Sequence, residues 1–496
     1  MRLLLPCLLL VYSCVGQTLK PLRYQTEVGS YFASSGLTPF WLRANQYGIV
    51  PREHAIMTVR HAMRVDYHDA PISKLDSLRA ANRRVDWGWG AEAVLNAGYN
   101  YQLLIPEAYV KVKFGAFEIW SGRRREIVGL VDTSLTSGAY SMSGNALPML
   151  KFQLAVPEFT PRTGLFSFKG FYAHGWFESD QFVKDAMLHQ KAFYIRFGKP
   201  SWRVRLYGGF NHQVMWGGST ERLPGSLIKN NQLPATLQDY LDVVLGSTLG
   251  ARTNVDTNRV SKFDRENRIG NHLGSVDLGF EYTASSFSIF AYRQSVYDDG
   301  SLFYLTNIQD GLNGLRIRNR RPLNPKGLQI QEVLVEYLYT KSQGGDLFLD
   351  DQAHRGRDNY FNHSQYRDGW SRYGMTIGTP FITPSSDSRS DLPPYAFTNN
   401  NRVAMMHVGI SGHLFNFFRF QLKASYSENF GTYEQPFTAP VQQFSSVFKV
   451  SAPLYILKGV TASAAVATDF GQLYDNSVGF FVGIRKEGQS RKRLPN

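Results

Sequence analysis

From Phe418 to Ser427 the chain alternates without a break: Phe418, Phe420, Leu422, Ala424 and Tyr426 are apolar, and Arg419, Gln421, Lys423, Ser425 and Ser427 between them are polar. A period of two places each set on one face of a β-strand. The stretch from Phe193 to Phe210 repeats the pattern as a hairpin. Phe193, Ile195 and Phe197, then Trp202, Val204 and Leu206 share one face, with Tyr194, Arg196, Arg203, Arg205 and Tyr207 on the other and Gly198-Lys199-Pro200-Ser201 as the turn. Met57, Val59, Met63 and Val65 face away from Thr58, Arg60, Arg64 and Asp66, and Met406, Val408, Ile410 and Leu414 alternate with His407, Ser411 and His413.

A soluble sandwich would alternate in the same way, with the apolar face as its core. Three features favour an all-β transmembrane antiparallel β-barrel instead. The strands run to about ten residues, as a tilted bilayer crossing requires. Aromatic residues cluster at the ends of the apolar faces, as at Phe193, Phe197, Trp202, Phe418 and Tyr426, which suits interfacial girdles. Short turns also alternate with long polar insertions. About twenty segments read as strands, 41–49, 301–309 and 369–378 among them, and several short ones suit loop hairpins equally well. A single-chain bacterial barrel has an even number of strands, so the expectation is about 16 to 20, centred on 18.

Three insertions stand out, at 218–271, 342–368 and 383–401. The first holds Leu237, Tyr240, Leu241, Val244 and Leu245 at helical spacing after Pro234-Ala235-Thr236, which predicts a short amphipathic helix within a loop. Its tail carries Arg252, Arg259, Lys262, Arg265 and Arg268. Loops of this length in a compact fold are usually functional or disordered.

The opening residues change the picture by fixing a compartment. Met1-Arg2 followed by the apolar run Leu3 to Val15 reads as a secretory signal peptide over 1–16, cleaved between Gly16 and Gln17, leaving 17–496 as one barrel domain. The run is too short for a helix that spans a bilayer. An alternative makes Cys14 a lipidated N-terminus, because Val11-Tyr12-Ser13-Cys14 loosely resembles a lipobox. The chain of 496 residues has 54 Lys and Arg against 40 Asp and Glu, a formal charge of +14 that becomes +13 when Arg2 leaves. Both cysteines, Cys7 and Cys14, lie within the leader. Such a basic excess suggests an anionic partner, and an extracytoplasmic location disfavours nucleic acid.

Catalytic signatures are missing: there is no G-x-S-x-G elbow, no phosphate-binding loop and no H-E-x-x-H. The expectation is a non-enzymatic protein without cofactor or metal. His54, His61 and His68 recur every seven residues, but odd spacing on a strand puts neighbours on opposite faces. Asp298-Asp299 and Asp350-Asp351 read as solvated loop charges rather than a Ca²⁺ site. The informative groups are Arg60, Arg64, Arg196, Arg203, Arg205, Arg419 and Lys423 on polar faces, with Arg123-Arg124-Arg125 just after a strand. They either neutralise lumen acids such as Glu332 and Glu336 and meet lipid phosphate, or line an interior or mouth that attracts an anionic polymer. Tyr360, Phe361, Asn362, His363, Tyr366, Arg367 and Trp370 mix aromatic rings and hydrogen-bonding groups, as a carbohydrate surface does and as a packed loop also does.

Three further stretches carry a family resemblance: Thr38-Pro39-Phe40-Trp41-Leu42-Arg43-Ala44-Asn45-Gln46-Tyr47-Gly48, Ser141-Met142-Ser143-Gly144-Asn145-Ala146-Leu147-Pro148, and Asn211-His212-Gln213-Val214-Met215-Trp216-Gly217-Gly218. In this order, and with the barrel layout, the chain resembles the Wzi-type capsule assembly proteins in their Bacteroidetes form. The resemblance runs from about Leu19 to the last strand. It implies an 18-stranded barrel in the bacterial outer membrane with a largely occluded lumen, acting as a surface lectin that anchors capsular or exopolysaccharide. Together with the basic excess, the expected partners are acidic capsular or exopolysaccharide and outer-membrane lipids including lipopolysaccharide, and the expected state is a monomer. It marks Trp41, Asn45, Gly48, Ser143, Asn145, Pro148, Asn211, His212 and Trp216 as motif residues. Arg123, Arg124, Arg196, Arg203, Arg205, Tyr360, His363, Tyr366, Arg367 and Trp370 are the candidate ligand contacts. A porin for anionic oligosaccharides is the alternative function. Two departures are a basic tail from Arg485 to Asn496, which leaves the closing strand open to question, and the lack of an obvious N-terminal helical plug, because Tyr24 to Ala33 reads as a strand.

Overall fold

The alternating segments pair in sequence order to make one closed sheet, each strand antiparallel to the next. In the computed structural model, residues 20–53, 56–68, 85–249, 256, 258–298, 300–348, 356–415 and 417–490 are described. The leader with Cys7 and Cys14, His54, Arg252, Asp299 and Asp350-Asp351 lie outside them. The first nine strands are β1 (Arg23–Ala33), β2 (Ile56–Val65), β3 (Val85–Ala97), β4 (Tyr101–Phe114), β5 (Phe117–Arg123), β6 (Leu150–Thr160), β7 (Phe166–Trp176), β8 (Met187–Phe197) and β9 (Val204–Trp216). The other nine are β10 (Asn271–Thr283), β11 (Phe287–Asp298), β12 (Gly311–Asn319), β13 (Leu328–Tyr339), β14 (Val403–Leu414), β15 (Phe418–Gly431), β16 (Pro436–Pro453), β17 (Val460–Gly471) and β18 (Ser477–Gln489). Closure comes from β1, in which Val28 stands opposite Val59 of β2 and Ile484 of β18. The count of 18 meets the expectation.

Three predicted strands are not barrel strands. Segment 41–49 begins in a one-turn helix, α1 (Phe40–Arg43); 301–309 begins in a 3₁₀ turn, Ser301–Tyr304; and 369–378 holds only the small ladder of Ser371–Arg372 with Met375–Thr376. Consecutive apolar residues, Phe40-Trp41-Leu42 and Leu302-Phe303-Tyr304-Leu305, lack the period of two that a half-buried strand needs. The basic tail is also corrected: its first part is the end of the closing strand, with Arg485 opposite Glu27 and Glu487 opposite Gln25.

Side-chain parity matches the alternation. Outward faces carry residues such as Val28, Phe193, Phe448 and Ile484, which are exposed to what surrounds the barrel, whereas Glu27, Lys423 and Glu336 on inward faces are buried. The four longest connections, 34–55, 124–149, 217–270 and 340–402, all leave from the same end. Apart from 66–84, the connections at the opposite end are short turns, which mark the periplasmic side. Three of the four long connections enter the lumen, where Trp41, Leu135 and Phe381 share a core with the inward Val447 and Met405.

The faces make a direct prediction. Ile484→Arg, on the outward row between Val28 and Ala462, will lower unfolding stability in lipid vesicles by about 2–4 kcal/mol. Thr461→Glu, on the lumen face of β17 opposite Arg485, will stay within about 0.5 kcal/mol of wild type in the same denaturant titration.

Candidate functional site

The three motif stretches meet inside the barrel, and their contacts explain their composition. α1 carries Trp41 into the lumen, where it is 1% exposed. Its Nε1 donates to Ser425 Oγ at 3.0 Å, and the Lys423 ammonium lies 4.9 Å from the ring centre. Phe40 N donates to Asp469 Oδ2 at 2.8 Å, and Arg43 pairs with Asp387 at 2.5 Å. The following turn is stapled to the second stretch: Asn45 N donates to Asn145 Oδ1 at 3.0 Å, and Tyr47 N to Gly144 O at 2.7 Å. Gly48 has φ +64, and a Cβ there would sit 2.7 Å from Leu147 N, so this crossing requires glycine.

The second stretch is bound in turn to the segment after Trp370. Ser143 Oγ donates to Gly378 O at 2.7 Å, Asn145 Nδ2 to Thr376 O at 2.9 Å, and Trp370 Nε1 to Ser141 O at 2.7 Å. Arg372 Nη1 donates to the carbonyls of Leu147, at 2.8 Å, and Pro148. The third stretch joins this plug to the wall. Asn211 accepts from Ser141 Oγ and donates to Ser275 Oγ, both at 2.7 Å. His212 and Trp216 alternate with it and so point outward. The motif residues other than His212 and Trp216 therefore belong to the joints of a plug and its wall.

The predicted ligand contacts divide differently. Arg123 reaches Glu178 at 3.3 Å, Arg124 reaches Glu118 at 2.7 Å and Arg125 reaches Glu92 at 2.7 Å. The first two are thus already occupied by carboxylates. Arg196 donates to Arg162 O and Ser167 Oγ, and Arg205 pairs with Glu281 at 3.0 Å. Arg203 is exposed and lies before β9, in the turn rather than on a strand face. These three stand at the short-turn end, away from the long loops, which corrects their placement at an outer mouth. Arg60, paired with Glu27 at 3.3 Å, follows the same pattern.

The aromatic cluster is turned inward. Tyr360, Tyr366 and Trp370 are buried and offer no ring face to a sugar. Tyr360 OH donates to Asp310 Oδ2 at 2.7 Å and Tyr366 OH to Gly217 O at 3.1 Å. Burial, then the nearby Arg367 charge, pulls His363 down to about 4, so its ring is neutral at pH 7. Arg367 is exposed. The packed-loop reading of this composition is the one realised, because the Tyr360 and Tyr366 hydroxyls and the Trp370 indole N–H each donate to a protein acceptor.

Sequence reasoning missed a half-buried outer patch built from three separate segments. The Arg402 guanidinium stacks 3.8 Å from the Tyr433 ring centre, Arg357 pairs with Glu434 at 3.3 Å, and Asn359 Nδ2 donates to Glu434 at 3.2 Å and Tyr395 OH at 3.5 Å. No local window contains the set. Below the plug, toward the short turns, is a chamber of about 350 Å³ lined by Arg60, Arg419, Lys449, Arg485, Glu27 and Gln421. Arg485 pairs with Glu487 at 3.0 Å. Among the described residues, Arg419 and Lys449 form no ion pair.

Fold and interior together define a plugged transmembrane β-barrel. A model of the capsule assembly protein Wzi family matches residues 25–405, and the chain belongs to that family. Among solved structures it is similar to Wzi of Escherichia coli, an outer-membrane protein involved in group 1 capsule assembly and a carbohydrate-binding β-barrel. That likeness, at 13% identity and a TM-score of 0.55 over 93% of this chain and 83% of that one, concerns the fold. Acinetobacter baumannii OccAB4 is 9% identical with a TM-score of 0.45, covering 96% of this chain and 99% of that one. Pseudomonas aeruginosa OpdK with vanillate is 8% identical with a TM-score of 0.47, covering 96% and 100%. No curated protein matches the chain.

Asn145→Ala removes two buried staples and will loosen the plug by about 1–3 kcal/mol. Single-channel recordings will then show intermittent conductance that wild type lacks. A second expectation concerns Asp310, which anchors the Ser342 and Gln343 amides at 2.9 and 2.7 Å. Burial pushes its carboxyl up to about 6 from 3.8, against the hydrogen bonds it accepts from Tyr360 and those amides. The folded state therefore binds this proton more tightly, so stability rises as pH falls from 7 through 6 toward 4, by up to about 3 kcal/mol. Unfolding titrations across that range will show the slope, and Asp310→Asn will flatten it.

Proposed function

We propose that the chain is a non-enzymatic protein of the bacterial outer membrane, exported by its 1–16 leader, that binds acidic capsular or exopolysaccharide at its loop-bearing end and supports capsule assembly. The observation that carries this reading is the plug: a barrel whose lumen is crossed by stapled loops suits a surface that holds a polymer better than a pore that passes one. Family membership supports the capsule role, and the similar Escherichia coli protein is itself described as carbohydrate-binding. The binding face in this reading is Tyr395, Tyr433, Arg402, Asn359 and Arg357 with Arg367, where rings and hydrogen-bonding groups remain half-open above the plug. Rings of this kind stack on sugar C–H surfaces while guanidinium groups pair with acidic substituents.

The same reading makes the protein a monomer, of the Bacteroidetes form, in contact with lipopolysaccharide at its rim. The porin alternative would route anionic oligosaccharides past the plug, and Arg419 and Lys449, which form no ion pair among the described residues, are its best support. Planar bilayers separate the two: the purified protein is expected to be nearly silent, and a steady open conductance would favour the porin. Binding of the strain's own capsule to protein in detergent is expected to saturate, and Tyr395→Ala with Tyr433→Ala to weaken it at least tenfold without changing heat-modifiable migration. Absence of saturable binding, with capsule retention unchanged in a deletion strain, would reject the proposal.

A further inference from the structure

The amphipathic helix expected within 218–271 is present as α2 (Leu237–Leu245), but it neither enters the barrel nor caps it. It lies against the outside of the wall. Tyr240 stacks on the outward Trp216 with ring centres 5.2 Å apart, and its OH lies 2.7 Å from the OH of the outward Tyr172. Val243 is fully buried in a small core with Val214 and Trp216. The outward Lys191 ammonium donates to Val244 O.

Two features of this arrangement are reversed from what water would favour. The side of α2 turned to the protein carries Asp239 and Asp242, both buried, and Asp239 is held by Arg259 at 2.6 Å. The side turned away carries Leu237, Leu241 and Leu245, exposed by 78%, 47% and 75%. A helix on a water-exposed loop places its leucines inward and its acids outward. Beneath the helix, the wall is reversed as well. His174, His189, Val214 and His272 form one outward row across β7–β10, and Tyr172, Lys191 and His212 form the next. Histidine and lysine side chains on an outward barrel face would otherwise meet lipid at considerable cost.

We propose that α2 is an interfacial helix seated in the acyl region of the outer leaflet, where it replaces a polar patch of the barrel wall with a leucine face. The occupant follows from continuity. The outer wall around the patch is the apolar lipid-facing surface, with Trp176, Phe193 and Phe210 exposed on the same strands, and the leucines extend that surface over the histidine rows. The aromatic set Tyr172, Trp176, Trp216 and Tyr240 places the helix at the level of an interfacial girdle. Its ends suit that position, because the Thr236–Asp239 capping box and the Arg268 bond to Gly246 O at 2.9 Å satisfy the terminal backbone groups without water.

The test uses residues 17–496, which contain no cysteine, reconstituted in phosphatidylcholine vesicles. A fluorescent nitrobenzoxadiazole label is placed at Leu241→Cys or, as a water-exposed control, at Glu221→Cys. Acyl-chain-brominated phosphatidylcholine is expected to quench the label at 241 at least twofold, with aqueous iodide ineffective, and the control to behave oppositely. Quenching at 241 by iodide alone would place the helix in water, and quenching by neither would place it under protein or glycan; both results overturn the proposal. A second variant avoids the label: Leu237→Ser, Leu241→Ser and Leu245→Ser together should leave the barrel folded while trypsin cleaves between Arg222 and Arg268 at least tenfold faster in vesicles. An unchanged cleavage rate in a folded barrel would also overturn it.

Discussion

Lipid offers no hydrogen-bond partner, so a sheet placed in it has to close upon itself. The pairing of β1 with β18 meets that requirement, and the remaining architecture answers what closure creates. Eighteen strands enclose a lumen wide enough for an aqueous channel. Filling it with chain brings in backbone amides and carbonyls that each need a partner. The plug therefore cannot be an ordinary hydrophobic core. It has an apolar kernel around Trp41 and Leu135, surrounded by side chains whose work is to satisfy other segments' backbone: Asn45 to Ser137 O, Asn145 to Thr376 O, Arg372 to Leu147 O.

The same constraint governs charge. A buried guanidinium needs its partner, since removing one member of a buried pair leaves an uncompensated charge at a cost of about 3–5 kcal/mol. Arg123, Arg124 and Arg125 accordingly fan out to Glu178, Glu118 and Glu92, and Arg43 and Arg52 share Asp387. The formal excess of +14 thus says little about where an anion would bind. Position relative to carboxylates says more, and it separates the occupied arginines of the plug from Arg419 and Lys449 in the chamber below.

Legibility followed periodicity. Barrel strands were readable because burial on one side of a two-residue repeat writes itself into every second position. The plug was not: Phe40 to Gly48, Ser141 to Pro148 and the segment after Trp370 are held by contacts between loops distant in sequence, which leave no period. Their motif residues could be picked out by resemblance, but their role as mutual staples could not. The cluster from Tyr360 to Trp370 misled for a related reason. Aromatic rings beside Asn, Arg and His describe a sugar-binding surface and a polar-lined core equally well, and only exposure distinguishes them. The half-open patch of Asn359, Tyr395, Arg402 and Tyr433 is assembled from separate segments of two loops and had no local signature at all.

One signal was present in the sequence and went unread. On a lipid-facing strand face the expected residues are apolar, so a run of exceptions is information. Between Phe193 and Phe197 the outward face of β8 is apolar, but two and four residues earlier it carries Lys191 and His189; β9 changes in the same way from Phe210 to His212, and β10 from Val276 to His272. Neighbouring strands that turn polar at the same height cannot all be tolerated by lipid, which means that protein must cover them there. The connection nearest to those strand ends is 217–270, and it contains a helix with one acidic and one leucine face. Reading the defect in the wall together with the helix assigns this loop to the outside, while the other long loops, which answer to no such defect, fill the lumen.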